Sequence, residues 1–120
     1  ANTMVAMARK MYLPALTQFS GDLATSVAAK AELGITSPAE KETIQVITDG
    51  ITAIAGATKT LYDKNAAAQA IEDPGEQDHF YHEEVLPAME ELRSHVDAME
   101  EICSEDYWPV PSYNSMLFWV

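Results

Sequence analysis

The chain has 120 residues, which suits one domain and leaves no room for two full-sized ones. Hydrophobic residues make up 48%, enough for a core and too many for a disordered chain. The single cysteine, Cys103, excludes an internal disulfide, and no apolar run approaches the ~20 residues of a membrane helix. The net charge of −12 would repel nucleic acids and anionic membrane surfaces. We therefore expect a cytoplasmic protein that binds neither.

The excess negative charge is concentrated in one third of the chain. Residues 72–106 contain 13 acids and one base, Arg93, which is a balance of −12. Residues 1–33 and 34–71 balance to +1 and −1, so these two stretches together contribute nothing. Such a charge run is typical of a solvated helix face, or of a docking surface for a basic protein partner.

The first predicted helix covers about residues 3–33. Pro14 interrupts it, which predicts a kink or the local loss of one backbone hydrogen bond. Gly34 is a natural stop. A helix that begins this close to residue 1 leads us to expect a piece of a longer protein. The apolar positions recur at helical spacing and are Met4, Met7, Met11, Leu16, Phe19, Leu23 and Val27.

The second predicted helix covers about residues 38–71. Ser37, Pro38 and Glu40 have the spacing of a capping box with proline in the first turn. Gly50 and Gly56 lower helix propensity but allow another helix to approach closely. The apolar positions alternate in steps of three and four, typical of a bundle seam: Ile44, Ile47, Ile51, Ile54, Thr58, Leu61, and then Asn65 and Ala68.

The third predicted helix covers about residues 76–104, and Pro87 interrupts it much as Pro14 interrupts the first. Short connections make neighbouring helices antiparallel, so the sequence predicts an all-α fold, an antiparallel three-helix bundle. The sequences around the two prolines also read alike, which we interpret as the same kink chemistry: Tyr12-Leu13-Pro14-Ala15-Leu16 and Val85-Leu86-Pro87-Ala88-Met89. The apolar seam of the third helix is Val85, Met89, Leu92, Val96, Met99 and Cys103.

The tail, residues 105–120, is predicted to be extended and to dock by its aromatic side chains. Pro109 and Pro111 block a helix, and five of the ten aromatic residues lie in the last 14 positions. Water is an unfavourable environment for so much apolar surface. The tail therefore packs along its own helices or docks on a neighbour, and the sequence leaves both open. The candidate docking residues are Trp108, Tyr113, Phe118 and Trp119.

One cluster has the composition of a metal site. Glu76 and His79 have the i, i+3 spacing found in di-metal helical bundles, and His79 and His82 could chelate a single transition metal. The other two predicted helices supply no histidine, so we favour a solvated acidic helix start and expect no metal. Cys103 falls on the apolar seam, which indicates an inert core thiol. We find no candidate catalytic or cofactor-binding residue.

The order of these motifs resembles the C-terminal region of type III glutamine synthetases over nearly the whole chain. The resemblance is carried by the first helix with its internal proline, the second proline helix and the aromatic tail, whereas residues 34–72 match poorly. Asn114 to Met116 also depart from the family's usual tail. The motifs are Thr3 to Lys10, then Leu13-Pro14-Ala15, then Val85 to Met89 followed by Leu92-Arg93, and then Tyr107-Trp108-Pro109-Val110-Pro111-Ser112-Tyr113.

The resemblance implies a fragment of an enzyme that joins ammonia to glutamate with ATP and a divalent metal such as Mg²⁺. The family's substrate, nucleotide and metal residues lie upstream, so none is carried over to this chain. Its partners would be the upstream catalytic domain and neighbouring subunits of a homo-oligomer. We therefore predict a noncatalytic domain with a structural or oligomer-supporting role, inactive as an isolated fragment. The alternative is a stand-alone acidic helical module that binds a basic protein.

Overall fold

A computed structural model describes residues 1–109, and these form three long helical rods joined by short turns. The first rod, residues 2–32, consists of helix α1 (Asn2–Met7), a π-helical turn (Ala8–Tyr12) and helix α2 (Leu13–Glu32). The middle rod is the single helix α3 (Pro38–Gln69). The third rod, residues 74–102, consists of helix α4 (Pro74–Phe80), a second π-helical turn (Tyr81–Val85) and helix α5 (Leu86–Ile102). The all-α class is confirmed for the described residues, which contain no strand.

Helix α3 lies between the two outer rods and makes most of the contacts between helices. Both outer rods run antiparallel to it. At the end of α3, the Asn65 side chain donates to Asn2 (3.0 Å) and the Lys64 ammonium lies 2.7 Å from the Glu84 carboxylate. The two outer rods make few helix-to-helix contacts with each other. The closed three-helix bundle therefore stays a prediction.

The core follows the predicted seams closely in α3 and in the third rod. In α3 the polar member of the seam, Thr58, is buried, and its hydroxyl donates to the Ile54 carbonyl at 2.6 Å, so it needs no other partner. In the first rod the prediction is less accurate, because Val5 and Ala8 are buried while Met4, Met7 and Met11 are only half-buried. The fully buried large side chains are Leu16, Ile47, Ile54, Leu61, Val85 and Leu92.

The two prolines act through the π-helical turns that precede them. In the first turn the Leu13 N–H donates to the Ala8 carbonyl, five residues back, and in the second the Leu86 N–H donates to the Tyr81 carbonyl. A proline has no N–H, and its ring displaces the carbonyl four residues before it. A widened turn makes room for that ring within a continuous rod. Each wide turn also rotates the preceding residues relative to those that follow, so a strict 3.6-residue period misplaces the buried face of α1.

The predicted capping box at the start of α3 is wrong. The Ser37 side chain is buried but makes no cap hydrogen bond. Glu40 instead accepts a hydrogen bond from the Lys30 ammonium of α2 at 3.0 Å, and that bond lowers the pKa of Glu40. A lysine across the turn therefore competes successfully for the carboxylate. The predicted stop at Gly34 agrees with its positive φ of 77°, which a glycine adopts without strain.

Only one of the two predicted close approaches of helices at glycine is present. A Cβ added at Gly50 would overlap the side chain of Met99, which is buried, whereas a Cβ at Gly56 would meet no atom of residues 1–109 within 4 Å. Alanine favours a helix over glycine by about 1 kcal/mol, and overpacking a core costs about 1–3 kcal/mol. The sign of a glycine-to-alanine change in α3 therefore depends on Met99.

We expect Gly50→Ala to lower the free energy of unfolding by about 1 kcal/mol, because the cost of moving Met99 exceeds the gain in helix propensity. Gly56→Ala is the matched control in the same helix, and it should raise the same quantity by about 0.5–1 kcal/mol. Urea denaturation followed by circular dichroism measures both. Equal stabilisation by the two changes would contradict the close packing at Gly50.

Candidate docking site at the end of the third helix

The chain reverses direction after α5 and brings two aromatic residues onto the first rod. Cys103 ends the helix with extended backbone angles (φ −71°, ψ 134°). The N–H groups of Tyr107 and Trp108 then both donate to the Ser104 carbonyl, at 3.0 and 3.1 Å. This tight turn fixes the side chains of residues 107 and 108 beside α2 and the π-helical turn before it. We call this contact the aromatic junction, formed by Tyr12, Phe19, Asp22, Tyr107 and Trp108.

Trp108 is the most buried member of the aromatic junction. Its ring stacks on Tyr12 with centroids 5.1 Å apart and an interplanar angle of 27°. Only 7% of Trp108 is exposed, and its Nε1–H has no hydrogen-bond partner among residues 1–109. Burial, together with the nearby carboxylates of Glu100 and Asp97, raises the pKa of Tyr12. The indole ring therefore fixes the end of the third rod against the first π-helical turn.

Tyr107 adds a second, more exposed contact to the junction. Its ring packs on Phe19 at 5.1 Å, and its hydroxyl donates to the Asp22 carboxylate. That hydrogen bond raises the pKa of Tyr107, because ionisation would place two negative charges side by side. Tyr12 and Phe19 are seven residues apart, two helical turns, so they lie on one side of the first rod. That shared helix face is the sequence signal that could have identified Tyr12 and Phe19 as contacts of residues 107 and 108.

Of the four predicted docking residues, one lies within the part of the chain that the structure describes. Trp108 is buried against the first rod, so this part of the tail packs on its own helices. Tyr113, Phe118 and Trp119 lie outside the described residues. Sequence reasoning missed Tyr107, Phe19 and Asp22 as members of the contact, because it treated the tail apart from the helix face that receives it.

The predicted metal candidates do not form a ligand group in the structure. Glu76, His79 and His82 are all exposed. At the start of α4 the Glu76 N–H donates to the Asp73 carboxylate (2.9 Å), and His82 Nε2 lies 3.5 Å from Asp78. Within residues 1–109, no three His, Cys, Asp or Glu side chains are arranged to hold a metal ion. An open cleft of about 540 Å³ lies beside His79, lined by acidic and apolar residues that include Ile71 and Phe80.

Cys103 is buried at the base of the aromatic junction, where sequence analysis placed an apolar seam. Burial raises the pKa of its thiol, so the reactive thiolate is disfavoured. His95, by contrast, lies at the surface, with Nε2 3.9 Å from the Glu91 carboxylate. The thiol and this imidazole therefore have different environments: one is a packed core group and the other belongs to the solvated acidic face. None of the described helices combines the length and apolar character of a membrane span.

Curated proteins include two that are similar in sequence to this helical chain. It is 29% identical over 90 residues to a glutamine synthetase of Bacteroides fragilis (strain YCH46), which covers 75% of this chain and 12% of that protein. It is 27% identical over 118 residues to a glutamine synthetase of Butyrivibrio fibrisolvens, which covers 97% of this chain and 17% of that protein. The chain is similar to one part of glutamine synthetases.

The chain spans less than a fifth of the length of either glutamine synthetase. No family model matches it, and no solved structure matches it. Because the similarity to the Butyrivibrio protein runs over almost the whole chain, it includes all three rods and the aromatic junction. This indicates a glutamine synthetase-related helical domain.

Proposed function

We propose that this chain is the noncatalytic C-terminal domain of a type III glutamine synthetase, with a structural or oligomer-supporting role. The observation that carries the proposal is the similarity to two glutamine synthetases, which reaches along most of this chain but only 12% and 17% of theirs. The order of the proline helices and the aromatic tail supports it. The structure adds that both proline motifs form the same local feature, a π-helical turn.

In this proposal the parent enzyme joins ammonia to glutamate in the cytoplasm, and ATP and Mg²⁺ bind in its upstream catalytic domain. The present domain holds no cofactor. It contacts the catalytic domain and neighbouring subunits of a homo-oligomer. Trp108 anchors the start of the aromatic tail on the first rod. The remaining tail residues, with Tyr113, Phe118 and Trp119, would close the three-helix bundle or reach a neighbouring subunit.

The gene sequence upstream of Ala1 and the number of subunits in the parent enzyme test this proposal. Upstream of the Ala1 codon, we expect the reading frame to continue through several hundred codons into a glutamine synthetase catalytic domain. The parent enzyme without residues 1–120 should then assemble with fewer subunits per oligomer, as measured by light scattering. A start codon just before Ala1 would contradict the enzyme assignment, and an oligomer with the same number of subunits would contradict the structural role.

The second candidate function is a stand-alone module that docks a basic protein. The observation in its favour is the exposed acidic third rod, where residues 72–106 carry 13 acids against Arg93. Among those acids, Glu84 forms an ion pair with a base of another rod, Lys64, at 2.7 Å. This function requires a reading frame that begins close to Ala1. It also requires binding to a basic partner that weakens steeply between low and high salt.

A further inference from the structure

One end of the molecule extends beyond the third rod. Met99 of α5 packs against Gly50 of α3, and α5 continues for only three more residues after that contact. Helix α3 continues in the same direction for 12 residues, from Gly50 back to Pro38, which is about 18 Å. The last described contact of the chain end on α2 is at Asp22, ten residues before the end of that helix. We call residues 24–46 the hairpin tip.

The hairpin tip has far fewer buried residues than the rest of the described fold. Between residues 24 and 46, Ser37 is the only buried residue. Three of the five exposed large hydrophobic residues of the described chain lie here: Leu33 is 78% exposed, Ile35 is 52% and Val46 is 39%. Two antiparallel helices without a third layer have one side with no partner. Apolar side chains concentrated at such an end mark an interaction surface.

The chain's own described end leads away from the hairpin tip. Tyr107 packs on Phe19, and the next residue, Trp108, packs on Tyr12, which lies about 10 Å further from the tip along the first rod. Residues 103–109 therefore leave the tip uncovered. The surface needs an occupant from another molecule, or from residues beyond 109.

The distribution of charge favours a second copy of this chain as that occupant. Two copies meeting through residues 72–106 would bring together two segments that each carry a charge of −12. The hairpin tip holds Lys30 and Lys41 against Glu32, Glu40 and Glu42, which is a balance of only −1. Like-charge repulsion between two hairpin tips is therefore much weaker than between two copies of residues 72–106. A basic partner would be drawn to the third rod instead.

We propose that the hairpin tip docks on the hairpin tip of a second copy, so that the two helices of each tip form a four-helix contact about a two-fold axis. Two antiparallel helix pairs that cover each other's open side are a stable arrangement in bundles. The inference deepens the oligomer-supporting role proposed above and rests on that part of it. It does not depend on the reaction that the parent enzyme performs.

Sedimentation velocity of the 120-residue chain from about 1 to 300 µM tests the inference. We expect the mass to rise from 13.2 kDa towards twice that value with concentration. Leu33→Ser with Ile35→Ser should weaken the dimer about tenfold or more, because buried apolar anchors dominate such contacts. Raising the salt from about 50 to 500 mM should strengthen it, because salt screens the repulsion between copies and leaves apolar contact intact.

Val46 and Ile102 supply a matched pair, since each is 39% exposed and only Val46 belongs to the tip. Val46→Ser should weaken the dimer several-fold, whereas Ile102→Ser should leave it unchanged, with equal helix content by circular dichroism. A chain that stays monomeric, or an equal effect of the two changes, would overturn the inference. So would a monomer that dimerises only after residues 110–120 are deleted, because the tail would then be the occupant.

These outcomes are separable from the test of the enzyme assignment. A monomeric chain whose gene continues upstream into a catalytic domain would overturn the tip contact alone. A dimer whose gene begins at Ala1 would leave the contact standing and contradict the glutamine synthetase assignment. The mass measurement therefore tests the tip contact, and the gene sequence separately tests the enzyme assignment.

Discussion

Replacing Trp108 by alanine is expected to lower the free energy of unfolding by about 3 kcal/mol, a large share of the roughly 5–15 kcal/mol that stabilises a typical domain. The side chain is 93% buried and stacks on Tyr12, so truncation exposes the ring of Tyr12 and the adjacent core. The value is at the low end for tryptophan because Trp108 follows the last helix, so its truncation leaves the side chains that pack between the rods in place. Urea denaturation followed by circular dichroism at 222 nm measures it.

Two further variants identify the cause of that loss. Trp108→Phe keeps an aromatic ring over Tyr12 and removes the unpaired Nε1–H, so its stability should stay within about 1 kcal/mol of the wild type. A double-mutant cycle with Tyr12→Ala should give a coupling of about 0.5–1.5 kcal/mol, the usual value for a ring pair. Additive losses at positions 12 and 108 would show that the two rings do not stack in solution.

Leu61→Ala is expected to cost about 3 kcal/mol for a different reason. Leu61 is fully buried in α3, the helix that contacts both outer rods. Removing its branched end leaves a cavity that rigid neighbours fill only in part. Because alanine is at least as good a helix former as leucine, the loss reports packing and not helix propensity. Thermal and urea unfolding should both show it.

The adjacent residue provides the control for Leu61. Tyr62 is 50% exposed, and its ring lies 4.9 Å below the Arg9 guanidinium. Tyr62→Ala removes a larger side chain from the same helix, yet it should cost only about 1 kcal/mol or less, since an exposed cation–π contact is weak. If the two substitutions proved equally costly, α3 would not occupy the middle of the fold with Leu61 facing inward.

The three helical rods could be predicted from the sequence because their signals are local and repeated. Steps of three and four between apolar residues identify most buried positions of α3 and of the third rod, from Ile47 to Ala68 and from Val85 to Met99. The two proline motifs predicted a local disturbance and, through their likeness, the same one twice. What they did not predict was its form, because a proline can bend a helix, break it or widen it into a π-helical turn.

The candidate site was predicted less completely than the rods. Trp108 stood out by composition alone, since aromatic residues concentrate in the tail. The helix face that receives the tail did not, because Tyr12 and Phe19 lie about ninety residues from Tyr107 and Trp108, and their seven-residue spacing also fits an ordinary helix face. The capping box failed for a related reason: local spacing fitted Ser37 and Glu40, but Lys30 across the turn bound the carboxylate.

The sequence by itself determined the all-α class, the three rods, the acidic third rod and the resemblance to one part of glutamine synthetases. Each of these depends on the spacing, composition or order of residues along the chain, and none of them requires knowing how the helices pack. The tertiary structure alone decided that α3 lies in the middle, that Gly50 and not Gly56 meets another described helix, and that the hairpin tip extends beyond α5 without cover from residues 1–109. Those features depend on where one rod ends beside another, and relative position in space is set by packing between distant residues.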